Sequence, residues 1–319
     1  MAKLRLSMAC DNYDYLQPLK EGKVEAEGID LNLITVESGI RHQRMFHYGE
    51  YDVCEFSMSS YLVARSKDIE WFPAIPFFTR RMFGHKFCFT RAGSEFKKPS
   101  DLKGRKIGIR TYENTLALMV KGMLMHNYNL PVDEVTWVCV NDKLVGTSPP
   151  SNVKVEQVEG KKQLEELLLA KEIDAEAEPD LPHGWLNGEG KVERLFPDFA
   201  RAERDYYTKT HIFPIMHPIV IKKEILDRDP WVATSLYELF IKTWRQYRNF
   251  MQQPHRLSFA WAGSYLEEER AFFGRDPYAQ GLKENHHDIK TMIQFAQEQG
   301  MLDRPLTVEE LFTENTRAT

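Results

Sequence analysis

The 319-residue chain is poor in cysteine, and the four it has, Cys10, Cys54, Cys88 and Cys139, lie far apart. They show neither paired metal-site spacing nor a dense disulfide framework, so a stapled secreted scaffold or a zinc ribbon is excluded. They read as small buried hydrophobes in a reducing compartment. No stretch approaches the roughly 20 apolar residues of a membrane span. The opening residues are interrupted by Arg5 and Ser7, unlike a secretory signal, and the last residues carry no lipidation pattern, so a cytoplasmic location is expected. Charge of one sign is also lacking: 42 Lys and Arg face 47 Asp and Glu, a formal net of −5. Nothing global draws the chain to nucleic acid or to an anionic membrane. Neither a dinucleotide nor a triphosphate glycine motif occurs, and no nucleophile elbow or catalytic-cysteine signature suggests covalent catalysis.

What is present fits a globular protein, 42% hydrophobic, 12% aromatic and 28% charged. At this length two lobes are expected. Leu4, Leu6, Met8 and Cys10 alternate in a first strand that ends in the turn-rich run Asp11 to Asp14. A second strand holds Ile29, Leu31 and Leu33, and a third covers Tyr51 to Phe56, followed by Ser57 to Ser60 as caps of a helix. Strand, loop and helix then recur: Lys106 to Ile109 is a strand, Arg110 to Thr115 a loop, and Leu116, Met119, Val120 and Met123 keep helical spacing. Trp137 to Val140 and Val153 to Val158 read as strands, Gln163 to Lys171 as a helix.

Glu172-Ile173-Asp174-Ala175 resembles Glu50-Tyr51-Asp52-Val53, which hints at two lobes on one scheme. The apolar segments Lys86 to Arg91 and Ile212 to Lys223 are candidate strands passing between them. Pro214 and Pro218 suit a hinge or edge better than a central strand. Asp229 and Pro230 are expected to open a helix, and Thr307 to Glu310 forms a capping box. The expected division is lobe I from 1–88 plus 216–319, with lobe II, 89–215, inserted.

In open α/β lobes, ligands sit beyond the carboxyl ends of strands. That selects the loops Asp11 to Asp14, Ser57 to Ser60, Arg110 to Thr115 and the acidic Glu176 to Leu181. Ser57, Ser59, Thr111 and Thr115 with Arg110 suit a carboxylate, although capping alone explains any single hydroxyl. Phe77 to His85 concentrates two guanidiniums, aromatic rings and an imidazole near a proposed hinge, a composition that suits an aromatic acid. The alternative is a loop of core rings and solvated arginines. His217 lies in the other crossing segment. His286-His287-Asp288 lacks metal-ligand spacing and reads as a solvated helix start.

Several segments together resemble the 4,5-dihydroxyphthalate decarboxylases. They are Tyr13-Asp14, Tyr51-Asp52-Val53 with Ser57-Met58-Ser59-Ser60-Tyr61, Arg81-Met82-Phe83 with His85, Asp101-Leu102-Lys103-Gly104 before Gly108-Ile109, Arg194 to Asp198, and Ile212 to His217. The resemblance is nearly full length. It implies an α/β, two-lobed fold like the type II periplasmic binding proteins, with a central cleft and two hinge crossings. It also implies loss of carbon dioxide from a hydroxylated aromatic acid, giving protocatechuate in the named case.

Direct loss of carbon dioxide from an arene leaves an unstable aryl anion, so the carbon bearing the carboxylate should be protonated first. A phenol ortho or para to it supplies the electron density. The candidates for acid and base are His85 and His217, with Asp14 and Glu113 as carboxylate alternatives. Arg81 and Arg110, helped by Ser57, Ser59 and Thr111, are the candidates for the substrate's carboxylates, and Tyr13, Phe77 and Phe213 for an apolar wall. No cofactor is expected, assistance by a divalent metal stays open, and the partner is a small aromatic carboxylate, with a homo-oligomer as an option. The alternative is a solute-binding or ligand-sensing protein of the same fold. A pyrimidine-forming thiamin-pathway enzyme is a third reading, against which the absence of its cysteine-rich motif argues.

Overall fold

A computed structural model describes residues 3–160 and 162–319. Eleven strands among them are β1 (Leu4–Cys10), β2 (Ile29–Thr35), β3 (Val53–Glu55), β4 (Ala74–Arg81), β5 (Cys88–Arg91), β6 (Lys106–Ile109), β7 (Thr136–Cys139), β8 (Lys154–Gln157), β9 (Ala175–Ala177), β10 (Val192–Arg194) and β11 (Ile215–Ile221). They form two mixed sheets, ordered β2-β1-β3-β11-β4 and β10-β5-β9-β6-β7-β8. The chain leaves the first sheet after Arg81 and returns at Ile215, so the second sheet is built wholly from the residues between.

The likeness between residues 50–53 and 172–175 has a structural counterpart. β3 runs parallel to β1 with Met8 opposite Val53, and β9 runs parallel to β6 with Ile107 opposite Ala175. The aspartate before each of these strands caps its neighbour. Asp52 accepts the Ser7 backbone N–H at 2.8 Å, and Asp174 accepts that of Lys106 at 3.0 Å. A cation stands beside each, Lys222 at 3.7 Å and Arg91 at 3.8 Å. An antiparallel strand follows in each sheet, β11 or β5, so the two sheets share the order 2-1-3 and then a returning strand.

Pro218 does not mark an edge. β11 lies between β3 and β4, and the missing N–H is accommodated by irregular register: His217 faces Arg80, Pro218 faces Phe78 and Ile219 faces Ile75. Such bulges bend a strand and re-aim its side chains. The helix expected at Asp229-Pro230 begins one residue later, at Trp231, with Pro230 as its cap. The Thr307–Glu310 box forms as read, Thr307 N–H bonding Glu310 at 3.1 Å and Glu310 N–H bonding Thr307 at 3.3 Å.

The Leu282–Glu298 helix packs on the Met58–Ser66 helix, which follows β3, and on the Thr115–Tyr128 helix, which follows β6. Close approach needs the absence of a side chain at Gly122, where a Cβ would fall 2.1 Å from the Phe295 ring. Beyond the helix, buried Gln299 donates to Leu118 O at 3.0 Å and accepts from the Tyr112 hydroxyl through its own carbonyl at 3.1 Å. One helix therefore ties both sheets together. Among the described residues, no helix is long and apolar enough to cross a membrane.

Candidate active site

The carboxyl ends of β1, β3, β6 and β7 open onto a cleft of about 1290 Å³. Its floor is the meeting of two helix N-termini. Ser57 caps the Met58–Ser66 helix, its Oγ accepting from Ser60 N–H at 3.3 Å, and Asn114 caps the Thr115–Tyr128 helix, accepting from Leu116 and Ala117 at 3.0 and 3.3 Å. Ser57 Oγ and Thr115 Oγ1 lie 3.0 Å apart and join the two caps. Both helices therefore direct their positive ends toward the cleft.

On the first-sheet wall stands His217, re-aimed by the bulge. Its Nδ1 is 2.5 Å from Glu55 Oε1. Glu55 ends β3 and is fully buried, yet it is well provided for. Tyr13 donates its hydroxyl to Oε1 at 2.5 Å, Asp11 N–H reaches Oε2 at 2.9 Å, and Arg41 Nη2 lies 3.0 Å from Oε2 as a charge contact. Burial alone would raise the carboxyl's pKa, but Arg41 and then His217 outweigh it and hold it well below the usual carboxylate range. An ionised carboxylate only accepts, so Nδ1 is the donor and the neutral ring keeps Nε2 as its basic nitrogen. Burial lowers the His217 pKa, and Glu55 opposes that shift.

Two further groups complete this wall. Arg80 is half-buried, and among the described residues its guanidinium forms no ion pair and no hydrogen bond. His42, on the Ser38–Tyr48 helix, packs edge-on to His217 with ring centroids 5.0 Å apart, and its Nε2 lacks a partner among the described residues. Burial holds it well below its ordinary pKa, with His217 adding to the effect, so it is neutral near pH 7. Facing them across the cleft, Arg110 is paired with Glu178 Oε1 at 2.5 Å and with Asp180. Among the described residues no group of three or more His, Cys, Asp or Glu side chains is arranged to hold a metal.

Of the residues proposed from sequence, His217, Arg110, Ser57, Thr111 and Thr115 line this cleft. Tyr13 lies behind the wall, bound to Glu55. Ser59 is buried at the junction of the two caps, donating to Glu113 O and lying 3.0 Å from Thr115 Oγ1. The others stand elsewhere. His85 is sealed among the rings of Tyr128, Phe196 and Tyr206, and neither of its nitrogens has a partner among the described residues. Burial pushes its pKa down to about 4. Asp14 is exposed and accepts from the Tyr247 hydroxyl. Glu113 is buried and accepts the backbone N–H groups of Leu144, Val145 and Gly146 at 2.5, 2.8 and 2.9 Å, anchoring the loop that edges the cleft.

Arg81 points away from the cleft. It pairs with Asp288 at 2.9 Å, donates to Phe213 O at 2.8 Å and bonds Asn285, pinning β4 to the Leu282–Glu298 helix. Asp288 is thus buried rather than part of a solvated helix start. Successive strand residues face opposite sides, so the cleft-facing arginine is Arg80. Phe77 stacks on Phe240 in the core at 4.9 Å, and Phe213 packs on Phe83 at 4.7 Å, outside the cleft wall. Sequence reasoning missed Arg80, His42, Glu55 and Arg41. A lone acid in the apolar run Val53-Cys54-Glu55-Phe56 was the available signal for Glu55.

Two mixed sheets around a cleft, joined by two crossings, define a two-lobed binding-protein-like protein. Solved structures share this fold: the periplasmic aliphatic sulphonate binding protein SsuA from Escherichia coli at TM-score 0.57 and 10% identity, with all of both chains covered, and the desulfurization enzyme DSZB at 0.57 and 15%, covering 99% of this chain and 98% of that one. A model of the NMT1/THI5-like family matches residues 22–148. The chain is 28% identical to the 4,5-dihydroxyphthalate decarboxylase of Comamonas testosteroni, covering 98% of this chain and 97% of the relative. It is 32% identical to that of Pseudomonas putida, over 65% and 83%. The chain belongs to the 4,5-dihydroxyphthalate decarboxylase family.

Proposed function

We propose that the protein is a carboxy-lyase acting on a hydroxylated aromatic carboxylic acid, with 4,5-dihydroxyphthalate as the first substrate to test. The observation that carries this reading is an unpaired guanidinium, Arg80, beside a histidine oriented by a buried carboxylate. A site that only bound an anion would need the guanidinium and the helix ends. It would not need a basic imidazole nitrogen held in one tautomer.

The substrate carboxylate is held by Arg80, with the caps at Ser57 and Asn114–Thr115 close by. His217 and His42 are the proton-transfer pair. One, neutral, takes the proton of the phenol para to the reacting carbon, and the other, which takes up a proton from solution beside the substrate's carboxylates, delivers it to that carbon, leaving the ring dearomatised. The carbon–carboxylate bond then breaks, its electron pair restores the ring, and the resulting phenolate regains a proton. One proton is consumed for each carbon dioxide released. Glu55, fixed by Arg41 and Tyr13, keeps His217 in the working tautomer. No step requires a cofactor, and a divalent metal is an arm of the test.

Purified protein is incubated with 4,5-dihydroxyphthalate and related phenolic acids, with and without divalent metal, while carbon dioxide and the ultraviolet spectrum are followed. Turnover is expected, with His217→Ala reducing kcat by about 10²–10⁴-fold and Arg80→Met acting mainly on KM. Tight binding without turnover across the panel would refute the enzyme reading.

A further inference from the structure

The two walls of the cleft differ in charge. The first-sheet wall presents Arg44 and Arg80 against Asp11 and Glu37, whereas the second-sheet wall presents Arg110 against Asp142, Glu159 and Asp180. Pairing sharpens the contrast. Arg44 is engaged by Glu50 at 3.2 Å, and Arg110 by both Glu178 and Asp180, so among the described residues Arg80 is the one lining cation without an acidic partner.

The way Arg110 is engaged matters. Its Nε and Nη2 both contact Glu178 Oε1, at 2.7 and 2.5 Å, and among the described residues Glu178 Oε2 accepts no hydrogen bond. One carboxylate oxygen next to Arg110 thus remains an acceptor. Asp180 binds Arg110 through Oδ2 and is largely exposed at the wall. A wall of acceptors with its cation covered suits hydroxyl donors and repels a carboxylate.

Resting on the decarboxylase reading, we infer that Glu178 and Asp180 determine specificity: by covering Arg110 they turn the substrate's carboxylates toward Arg80 and the ring hydroxyl that keeps its proton toward the second-sheet wall. The pair therefore selects a substrate with acid groups at one end only, hydroxyls at the other. This discrimination works by repulsion as much as by attraction.

Calorimetric titration with phthalate, 4-hydroxyphthalate, 4,5-dihydroxyphthalate and benzene-1,2,4-tricarboxylate tests it without relying on turnover. The unmodified protein is expected to bind the tricarboxylate at least about tenfold more weakly than phthalate, a difference of about 1.4 kcal/mol. Glu178→Gln and Asp180→Asn, the second at an exposed position where folding is not at risk, should each narrow that gap while weakening the hydroxyphthalates. An unchanged ratio in both variants, or equal binding of phthalate and the tricarboxylate to the unmodified protein, overturns the inference alone. Absence of binding by all four compounds overturns the decarboxylase reading and the inference with it.

Discussion

Replacing His85 by Leu separates two roles that a histidine can have near a hinge. The ring is 1% exposed, surrounded by Tyr128, Phe196 and Tyr206, with both nitrogens unpartnered among the described residues. A buried polar group without a partner costs about 1–3 kcal/mol, so an apolar side chain of similar size should leave stability at pH 7 unchanged or raised. The acid limb supplies the sharper number. The folded pKa is about 4 against 6.5 for the free ring, so as pH falls through that window the unfolded chain binds a proton that the folded chain does not. At about 1.4 kcal/mol for each pH unit, the unmodified protein loses about 3 kcal/mol through this residue by pH 4. The variant has no such loss. Urea denaturation of both proteins from pH 7 to 4.5 should show the stability gap widening in favour of His85→Leu, because the other titrating groups are common to both and cancel. Decarboxylase turnover should remain near that of the unmodified protein, whereas removal of an acid or base group costs about 10²–10⁴-fold. A constant gap across the pH range, or a collapse of turnover in a folded variant, would refute this assignment.

Glu113→Gln should leave the Leu144 to Gly146 amides with a weaker, uncharged acceptor, costing about 1.5–3 kcal/mol locally. Hydrogen exchange should quicken at those three amides first; unaltered protection there would show that the carboxylate does not hold the loop. Gly122→Ala places a Cβ 2.1 Å from Phe295, and overpacking of this kind costs about 1–3 kcal/mol. A lower Tm is expected, and an unchanged one would mean that the two helices separate without cost.

The fold was legible because its signals are local. Alternation in Leu4 to Cys10 and helical spacing in Leu116 to Met123 need no knowledge of distant partners, and loops at strand ends led to Ser57, Arg110 and Thr111. His217 was also found, although the reason it faces the cleft, a bulge against β4, is a property of the strand pairing. Arg80 and Arg81 show the limit most clearly. Adjacent residues on one strand go to opposite faces, and which goes where depends on long-range contacts with Asp288 and Asn285, about two hundred positions away in the chain. Glu55 and Arg41 carry opposite charges into a dry interior, where each is tolerable only because the other is there. Neither residue alone announces that arrangement. His85 shows the converse, a residue of the right chemical type whose surroundings seal it from the cleft.

The Leu282–Glu298 helix changes what the two-lobed fold can do. In a receptor that closes on its ligand, affinity is reduced by the fraction of time that the open form prevails. Here one helix seats its aromatic ring against the backbone of the second lobe and its flanking Arg81–Asp288 pair against the first, so hinge motion would have to break packing on both sides. The distance between the two walls is set during folding, so the side chains on either side of the cleft stand in place before any ligand arrives.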